Sequence, residues 1–298
     1  MSTRRLKDLV ASKLMLSATI LSSVVVIAVA LVLFQKSTLI LTTHSLSELL
    51  LSSSWHPWQD QFGYYPFIVG TLWVTGLAMA ISTGPSLLMS IYMAEYAPSR
   101  LRGIIKPTVD LLAGIPSVVY GLWALLLIVP LIRDQVAALV GVTTTGYTVL
   151  AGGIVLAIMV TPITISISEE VIRAVPRQVR EASMALGATR WQTVRNAVMR
   201  TAFPGIIAAV ILGFGRAFGE TMAVLMVVGN VPEVPVSVFD AAYPIPALIA
   251  NNYGEMMSIP SYDSALMLAA LLLLLVVLLF SILAAALLAG IKRRYVIG

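Results

Sequence analysis

Apolar residues occur in six long runs along the chain, separated by shorter stretches that carry most of the charges. A helix needs about 20 mostly apolar residues to cross roughly 30 Å of hydrocarbon, and each run is long enough. The pattern therefore predicts an all-α membrane protein with six transmembrane helices. The predicted spans are residues 14–34, 66–96, 107–132, 147–167, 203–231 and 265–291.

Prolines interrupt three successive spans. Pro85, Pro116 and Pro162 each free a backbone carbonyl within or near a predicted span, because proline has no N–H and clashes with the preceding turn. Broken helices at membrane depth are tolerated where they face protein or a water-filled cavity. The three prolines together favour a bundle with a polar path inside it.

Composition supports the membrane assignment. Hydrophobic residues make up 59% of the 298 residues and charged residues 11%, which is more apolar surface than a soluble domain of this length can cover. We therefore expect one transmembrane domain over residues 1–298. The chain has no cysteine, and its two histidines, His44 and His56, lie outside the spans, so we expect no metal site.

Basic residues collect on one side of the predicted spans. Sixteen of the 19 Lys and Arg residues share the side of the N-terminus: Arg4, Arg5, Lys7, Lys13, Arg100, Arg102, Lys106, Arg173, Arg177, Arg180, Arg190, Arg195, Arg200, Lys292, Arg293 and Arg294. The positive-inside rule then predicts that both termini are cytoplasmic. Because these residues flank spans, the net charge of +5 does not indicate a nucleic-acid partner.

Two segments on the opposite side have a distinct composition. Residues 44–65 contain the aromatic residues Trp55, Trp58, Phe62, Tyr64 and Tyr65, which suit a position at the membrane interface. Residues 232–263 contain Glu233, Asp240, Glu255 and Asp263, five prolines and no basic residue. The second segment is either a solvated loop or a docking surface for an outside partner.

The least apolar part of the chain is the loop between spans four and five, at about residues 168–202. Pro176 suits a first helical position, and Gly187 is a typical helix stop. Thr189 with Gln192 three residues later is a capping-box pattern that opens a second helix. The loop therefore predicts a helix, a glycine turn and another helix on the cytoplasmic side.

Small residues in the first of these helices, such as Ala182, would let another surface approach closely, and the neighbouring Glu181 could orient a partner's basic group or backbone. Length and composition alone favour the other interpretation, a connector helix that lies on the membrane surface.

The fifth span carries two charges near its middle, Arg216 and Glu220. A charge at mid-span costs about 2.5–3.5 kcal/mol on the translocon scale. Residues four apart lie on one helical face, about 6 Å between Cβ atoms, so the two can pair. The pair either fixes the helix position or forms a polar site on a substrate path with Arg216 as an anion contact, and the intramembrane location favours the second interpretation.

Gly215 and Gly219 form a GxxxG step in the same span. Small residues at this spacing allow close helix packing. The glycine row lies about 100° from the charged face, so packing along it would turn Arg216 and Glu220 toward the interior of the bundle.

The loop segment EASMALG, with Glu181, Ala182 and Gly187, resembles the EAA loop of ABC-importer permease subunits. That resemblance implies a type I ABC-importer permease fold in which this segment is a coupling helix that docks on an ATPase subunit. The sequence contains no Gly-Lys pair and therefore no GxxxxGK[ST] phosphate loop. ATP and Mg²⁺ would be bound by a separate chain, with no cofactor in this one.

Three further segments resemble the phosphate-importer permease family: FGYYPFIVGTLWVT (62–75), LLAGIPSVVYGLW (111–123) and GRAFGETMAV (215–224). GETMAV is similar to the C-type subunit of that family rather than the A-type. The resemblance implies an A-type permease partner, an ABC ATPase dimer and an external phosphate-binding protein. It also implies a location in the lipid of a bacterial inner membrane.

Other functions remain open at the level of sequence. The same architecture could serve another oxyanion, such as sulfate or molybdate, or a non-transporting signalling or structural subunit. An intramembrane enzyme lacks support, since the spans contain no HExxH, no cysteine or histidine and no carboxylate pair at catalytic spacing.

Overall fold

The structure is a computed structural model that describes residues 3–254 and 259–296. Six helical segments in it are long and apolar enough to cross a membrane, which confirms the predicted number of spans. They are Val10–Lys36, Tyr65–Tyr96, Ser117–Val140, Val149–Ala174, Arg190–Phe218 and Pro260–Ala286.

The helices, in chain order, are α1 (Thr3–Lys36), α2 (Thr38–Thr43), α3 (Leu46–Leu51), α4 (Tyr65–Ile91), α5 (Ser99–Gly114), α6 (Ser117–Leu131), α7 (Ala137–Val140), α8 (Val149–Ala174), α9 (Arg177–Ala185), α10 (Arg190–Thr193), α11 (Met199–Phe218), α12 (Met222–Leu225), α13 (Ile245–Asn252) and α14 (Pro260–Val296). Three π-helical turns, Tyr92–Tyr96, Ile132–Val136 and Val194–Val198, extend α4, join α6 to α7 and join α10 to α11. A short antiparallel hairpin, β1 (Trp55–His56) and β2 (Gln61–Phe62), pairs Trp55 with Phe62 across a 3-10 turn at Pro57–Gln59.

Helix α8 lies at the centre of the bundle, with α4, α5, α6, α11 and α12 packed around it. Glycines let α4 and α8 approach closely: a methyl group at Gly153 would stand 2.7 Å from Cδ2 of Leu77, and one at Gly152 would stand 3.2 Å from Cγ1 of Val74. Helix α14 packs against α11, α13 and α1 at the side of this core. We call the end of the bundle that carries α9 and α10 the inner end, and the opposite end the outer end.

The third predicted span, 107–132, is divided in the structure. Helix α5 ends at Gly114, and Pro116 starts a new helix, so that the residues before the break form a separate helix. The hydroxyl of Tyr120 donates to the carbonyl of Leu112 at 2.8 Å and satisfies a backbone acceptor next to the break. The spanning segment that follows runs from Ser117 to Val140.

The outer segments are more buried than the sequence indicated. Trp55, Phe62 and Tyr64 belong to one core cluster with Phe67 and Tyr243, and the rings of Trp55 and Phe67 lie 4.8 Å apart. Burial raises the pKa of Tyr64 far above its ordinary value, and its hydroxyl donates to the carbonyl of Ala265 at 2.7 Å. Of the aromatic residues expected at a membrane interface, Trp58 is the most exposed, at 79%.

The segment 232–254 folds back over the outer end of α8. The N–H groups of Val149 and Leu150 donate to the carbonyls of Asp240 and Val238 at 2.9 and 2.8 Å. The first half of α13 is buried. The segment is therefore an integral cover of the bundle rather than only a solvated loop, while Glu255 lies outside the described residues.

Candidate membrane-embedded site and inner docking surface

The helix of the fifth span ends between its two charged residues, Arg216 and Glu220. Helix α11 stops at Phe218, and a new short helix, α12, begins at Met222. The N–H of Glu220 donates to the carbonyl of Ala217 at 3.3 Å, which closes a turn rather than continuing the helix. The chain then leaves the bundle through Val227 and Val228, whose carbonyls accept hydrogen bonds from Thr148 and Ala242. The predicted continuous helix over 203–231 is therefore wrong beyond Phe218.

Glu220 caps the short helix instead of pairing with Arg216. Its Oε1 accepts hydrogen bonds from the N–H groups of Thr221 and Ala223 at 3.2 and 3.5 Å. A carboxylate at this position satisfies backbone donors that a helix start leaves open. The side chain is half-buried and lines a narrow cleft with Thr71, Pro244 and other residues.

Arg216 lies near mid-depth in the bundle. A methyl group at Gly213, one turn earlier, would stand 3.0 Å from Val160 and 2.7 Å from Thr164, which occupy the middle of the 26-residue α8. Three further residues of helix place Arg216 about 4.5 Å farther toward the outer end.

The guanidinium of Arg216 is exposed on the surface of the chain. Among the described residues, the ion pairs join other groups, and no carboxylate lies within 4.0 Å of it. The expectation that Arg216 and Glu220 share one helical face and pair is wrong, because the helix ends between them. Tyr120, beside the break between α5 and α6, lies within electrostatic range of Arg216.

The buried face of α11 is a different row of small residues from the one that the sequence singled out. Four of its members are small, namely Ala202, Ala209, Gly213 and Ala217, and Ile206 and Phe218 are buried with them. The spacing Ala209-x₃-Gly213-x₃-Ala217 is itself a small-residue pattern, so a signal for this face was present in the sequence.

Gly215 and Gly219 lie on the exposed side of the chain. A methyl group at Gly215 would meet no atom within 4 Å, and one at Gly219 would meet only the carbonyl oxygen of Gly215 at 3.7 Å. Gly215 opens onto an apolar cavity of about 410 Å³ between α4, α11 and α14. Within the described part of the chain this glycine row therefore packs against no other helix, and close packing along it remains a prediction.

The loop at the inner end has the predicted helix–glycine–helix form. Gly187 has φ +86°, the left-handed conformation that ends α9. The Thr189 hydroxyl accepts from the N–H of Gln192 at 3.3 Å while the Gln192 side chain accepts from the N–H of Thr189 at 2.9 Å, which confirms the capping box. Pro176 precedes α9 as its N-cap rather than occupying the first helical position. We call residues 177–193 the elbow.

The elbow presents an exposed apolar surface. Glu181, Ala182 and Gly187 are all exposed. Beside them, Leu186 is 90% exposed, and Met184 and Trp191 are about half exposed. Large apolar side chains on a turn of a charged loop are typical of an interaction site. Leu186 and Trp191 were not identified from the sequence, although their position beside a helix stop is visible there.

The elbow and Arg216 are connected by one helical element. The segment Arg190–Phe218 is helical throughout its 29 residues, including the π-turn Val194–Val198. At 1.5 Å per residue, Arg216 lies about 39 Å from the start of α10 along this element. The elbow and the membrane-embedded break are therefore joined by one continuous helical segment.

The described residues contain no group of three or more His, Asp or Glu side chains that could hold a metal ion. Near the break between α11 and α12, Arg216 and Glu220 offer charge and hydrogen bonding. Tyr120, beside the break between α5 and α6, adds a hydroxyl group.

The comparisons with known proteins agree on one family. The model of the binding-protein-dependent transport system inner membrane component family matches residues 86–295. The probable ABC transporter permease protein YqgH of Bacillus subtilis is 42% identical over 209 residues, 70% of this chain and 66% of that protein.

Proteins with a more specific name are also similar. The phosphate transport system permease protein PstC of Xylella fastidiosa (strain 9a5c) is 38% identical over 73% of this chain and 71% of its own length. The PstC of Mesorhizobium japonicum is 35% identical over 84% of this chain and 80% of its own length.

Solved structures show the same fold at low identity. A chain of a bacterial ABC transporter involved in alginate import superposes with a TM-score of 0.61 at 15% identity, covering 96% of this chain and 99% of that one. A chain of the methionine ABC transporter MetNI superposes with a TM-score of 0.59 at 17% identity, covering 80% and 99%. The chain thus has the fold of ABC-importer permeases.

Proposed function

Because this chain belongs to the binding-protein-dependent transport system inner membrane component family, we propose that it is the C-type permease subunit of an ATP-driven importer of inorganic phosphate. It is a multi-pass inner-membrane protein. Support for phosphate as substrate comes from the names of the PstC relatives, 38% and 35% identical. The structural observation that carries the proposal is Arg216, a cation near mid-depth without an anionic partner in the described chain.

An unpaired guanidinium is costly in hydrocarbon, so such residues face a bundle interior or a watery path in working membrane proteins. The exposed side of Arg216 would therefore face the second permease, and the transported anion would supply its counter-charge between the two subunits. Guanidinium groups suit phosphate because their planar donors match its oxygens. Glu220 would hold the start of α12 and, as a nearby negative charge, keep the anion from binding too tightly to leave.

The proposed assembly has four kinds of chain. A second permease of the A-type completes the path, an ABC ATPase dimer binds ATP and Mg²⁺, and an external phosphate-binding protein delivers the anion. The elbow would dock on the ATPase through Glu181, Ala182, Gly187 and Leu186, with both termini of the chain cytoplasmic. This chain would form one transmembrane domain and catalyse no reaction itself.

In the proposed mechanism, ATP binding closes the ATPase dimer and displaces the elbow. The 29-residue segment Arg190–Phe218 would carry this displacement to the break beside Arg216. The path between the permeases would then change the side on which it is open, which is alternating access. Phosphate released from the binding protein would pass along Arg216 on its way inward.

The test is uptake of labelled phosphate by the reconstituted four-component transporter. Arg216→Gln should reduce uptake at low phosphate about tenfold or more, the scale of one lost hydrogen bond to a charged group. Arg200→Gln is the matched control, since Arg200 is also exposed on α11 but lies at its inner end. Wild-type uptake by Arg216→Gln would refute the role of Arg216. If sulfate or molybdate competed as strongly as unlabelled phosphate, the assignment of phosphate as the substrate would be refuted.

A further inference from the structure

Three arginines from three different helices converge on the inner end of the second span. That end is the π-helical turn Tyr92–Tyr96, which follows α4. The arginines are Arg102 of α5, Arg180 of α9 and Arg190 of α10. Arg180 and Arg190 are 85 and 95 residues from Glu95 in the sequence, whereas Arg102 is 9 residues from Met93.

The central contact joins Arg180 to Glu95. Arg180 donates from Nη2 to Oε1 of Glu95 at 2.5 Å and from Nε to the same oxygen at 3.1 Å. It also donates to the backbone carbonyls of Ile172 and Val175 at the end of α8, at 3.0 and 2.5 Å. One guanidinium therefore ties the elbow to the inner ends of both α4 and α8.

The pair is shielded from solvent. The side chain of Glu95 is 9% exposed and that of Arg180 is 19% exposed. Ile172 and Val175 form an apolar cluster beneath the elbow, with Val179 and Ile91 packed against it. Screening by water and salt is weak in such a place, so the pair holds its geometry more firmly than a surface ion pair would.

The other two arginines fix the turn itself. Arg190 donates to the backbone carbonyl of Glu95, and its guanidinium lies 4.9 Å from the centre of the Tyr96 ring. Arg102 donates from Nε to the carbonyl of Met93 at 2.9 Å. These contacts satisfy carbonyls that a helix end leaves open, and they add two further attachments between the turn and its neighbours.

We infer that Glu95 and Arg180 are positioning residues that transmit movement of the elbow to α4, so that ATP hydrolysis by the partner chain is coupled to reorientation of the spans. Helix α4 is packed against the central α8 by the close contacts at Gly152 and Gly153. A displacement of the elbow then moves the α4–α8 pair as well as the segment that leads to Arg216. The inference rests on the proposed function, because it needs an ATPase at the elbow.

The first experiment measures phosphate transported per ATP hydrolysed by the assembled transporter in liposomes. Glu95→Gln and Arg180→Gln should each lower this ratio at least about fivefold, the lower end of coupling between distant sites. The double variant should lower it no further than Arg180→Gln alone, because both changes break the contact between Glu95 and Arg180. The ATPase should still copurify with each variant.

Asp134→Asn is the control variant. Asp134 pairs with Arg133 at 2.7 Å, but both are exposed and belong to the outer part of the third span. The phosphate transported per ATP hydrolysed by this variant should equal that of the wild type. Arg180→Lys serves if Arg180→Gln does not fold: it keeps the charge but loses the paired donors, and should lower the ratio while ATP hydrolysis persists. A wild-type ratio in Glu95→Gln, or an additive loss in the double variant, would overturn the inference.

A second measurement does not depend on the substrate. The chain has no cysteine, so spin labels can be placed on Gln178→Cys in α9 and Leu88→Cys in α4, both of which are exposed sites. The distance distribution between the labels should be narrow with and without nucleotide, and should broaden when Glu95→Gln is added. An unchanged narrow distribution would overturn the rigid connection. If the wild type moved no phosphate but the labels behaved as expected, the proposed substrate would fail and the connection would stand.

Discussion

Gly213 and Thr164 bring α11 and α8 into close contact near the middle of α8. A methyl group at Gly213 would stand 2.7 Å from Oγ1 of Thr164. The Thr164 hydroxyl already donates to the carbonyl of Val160 at 3.1 Å, which leaves it little freedom to move aside. Together with the contact of Gly205 with Val171, it sets the rotation of α11 and therefore the side on which Arg216 is exposed.

Gly213→Ala is expected to destabilise the protein by about 1–3 kcal/mol, because the added methyl group overpacks a buried contact. Gly215→Ala is the matched control in the same helix, where the same methyl group meets no described atom within 4 Å. The control should be neutral or stabilising, since alanine is a better helix former than glycine. Thermal unfolding of the purified chain in detergent compares them. Equal loss in both variants would contradict the assigned rotation of α11.

Gly187→Ala is expected to weaken binding of the ATPase subunit. The conformation at Gly187, with φ +86°, costs about 1–2 kcal/mol for a residue with a Cβ atom, so α9 and α10 would no longer meet at the same angle. Gly187→Asn should be milder, because asparagine tolerates this conformation better than alanine. Titration of the permease with the ATPase measures the affinity.

The control for that titration is Gly103→Ala. Gly103 lies inside α5 with open space around its Cβ position, so the substitution should leave the affinity unchanged. If Gly187→Ala bound the ATPase as tightly as the wild type, the turn geometry at Gly187 would not matter for docking.

Lys106→Met is expected to destabilise the inner end of the bundle by about 1–3 kcal/mol, since it removes a partner from a buried carboxylate. The side chain of Glu169 is 1% exposed, and its Oε2 lies 3.5 Å from Nζ of Lys106. Glu169→Gln in the Lys106→Met background should recover part of the loss, because it removes a buried charge that only Arg173, at 3.1 Å from Oε1, then balances. Glu170→Gln is the control, since Glu170 is 69% exposed, and it should cost about 0–1 kcal/mol. Chemical unfolding in detergent measures the free energy of unfolding of the wild type and of the three variants.

Tyr64 should make the stability fall with pH above its ordinary pKa of 10.0. Burial raises the folded-state pKa, so above pH 10 the unfolded chain loses a proton that the folded chain keeps, and the contribution present below pH 10 is progressively lost. The loss from this group should approach about 1.4 kcal/mol per pH unit. Tyr64→Phe should remove that part of the slope and cost about 1 kcal/mol at pH 8 through the lost hydrogen bond to Ala265. Unfolding at pH 8 and pH 11 separates the two effects, and an equal slope in wild type and variant would contradict the burial effect.

Features that depend on local chemistry were predictable from the amino-acid sequence. Apolar run length predicted the number of spans, because hydrocarbon thickness fixes the number of residues needed. The elbow was predictable because a left-handed glycine and a capping box act within a few residues, as at Gly187 and Thr189. The loop segment and the three other motifs were enough to suggest the family that the comparisons then showed.

The ends of the helices, their rotation and the contacts between them depend on tertiary packing. The end of α11 at Phe218 depends on the returning segment, in which Ala242 hydrogen-bonds to Val228, and so no local signal separated Arg216 from Glu220. The fifth span contains two rows of small residues, one with Gly213 and one with Gly215. Only packing against α8 determines that Gly213 is buried and Gly215 is exposed. The contact between Glu95 and Arg180 joins residues 85 positions apart. Local propensity contains no information at that separation, whereas packing of the helices brings the two side chains together.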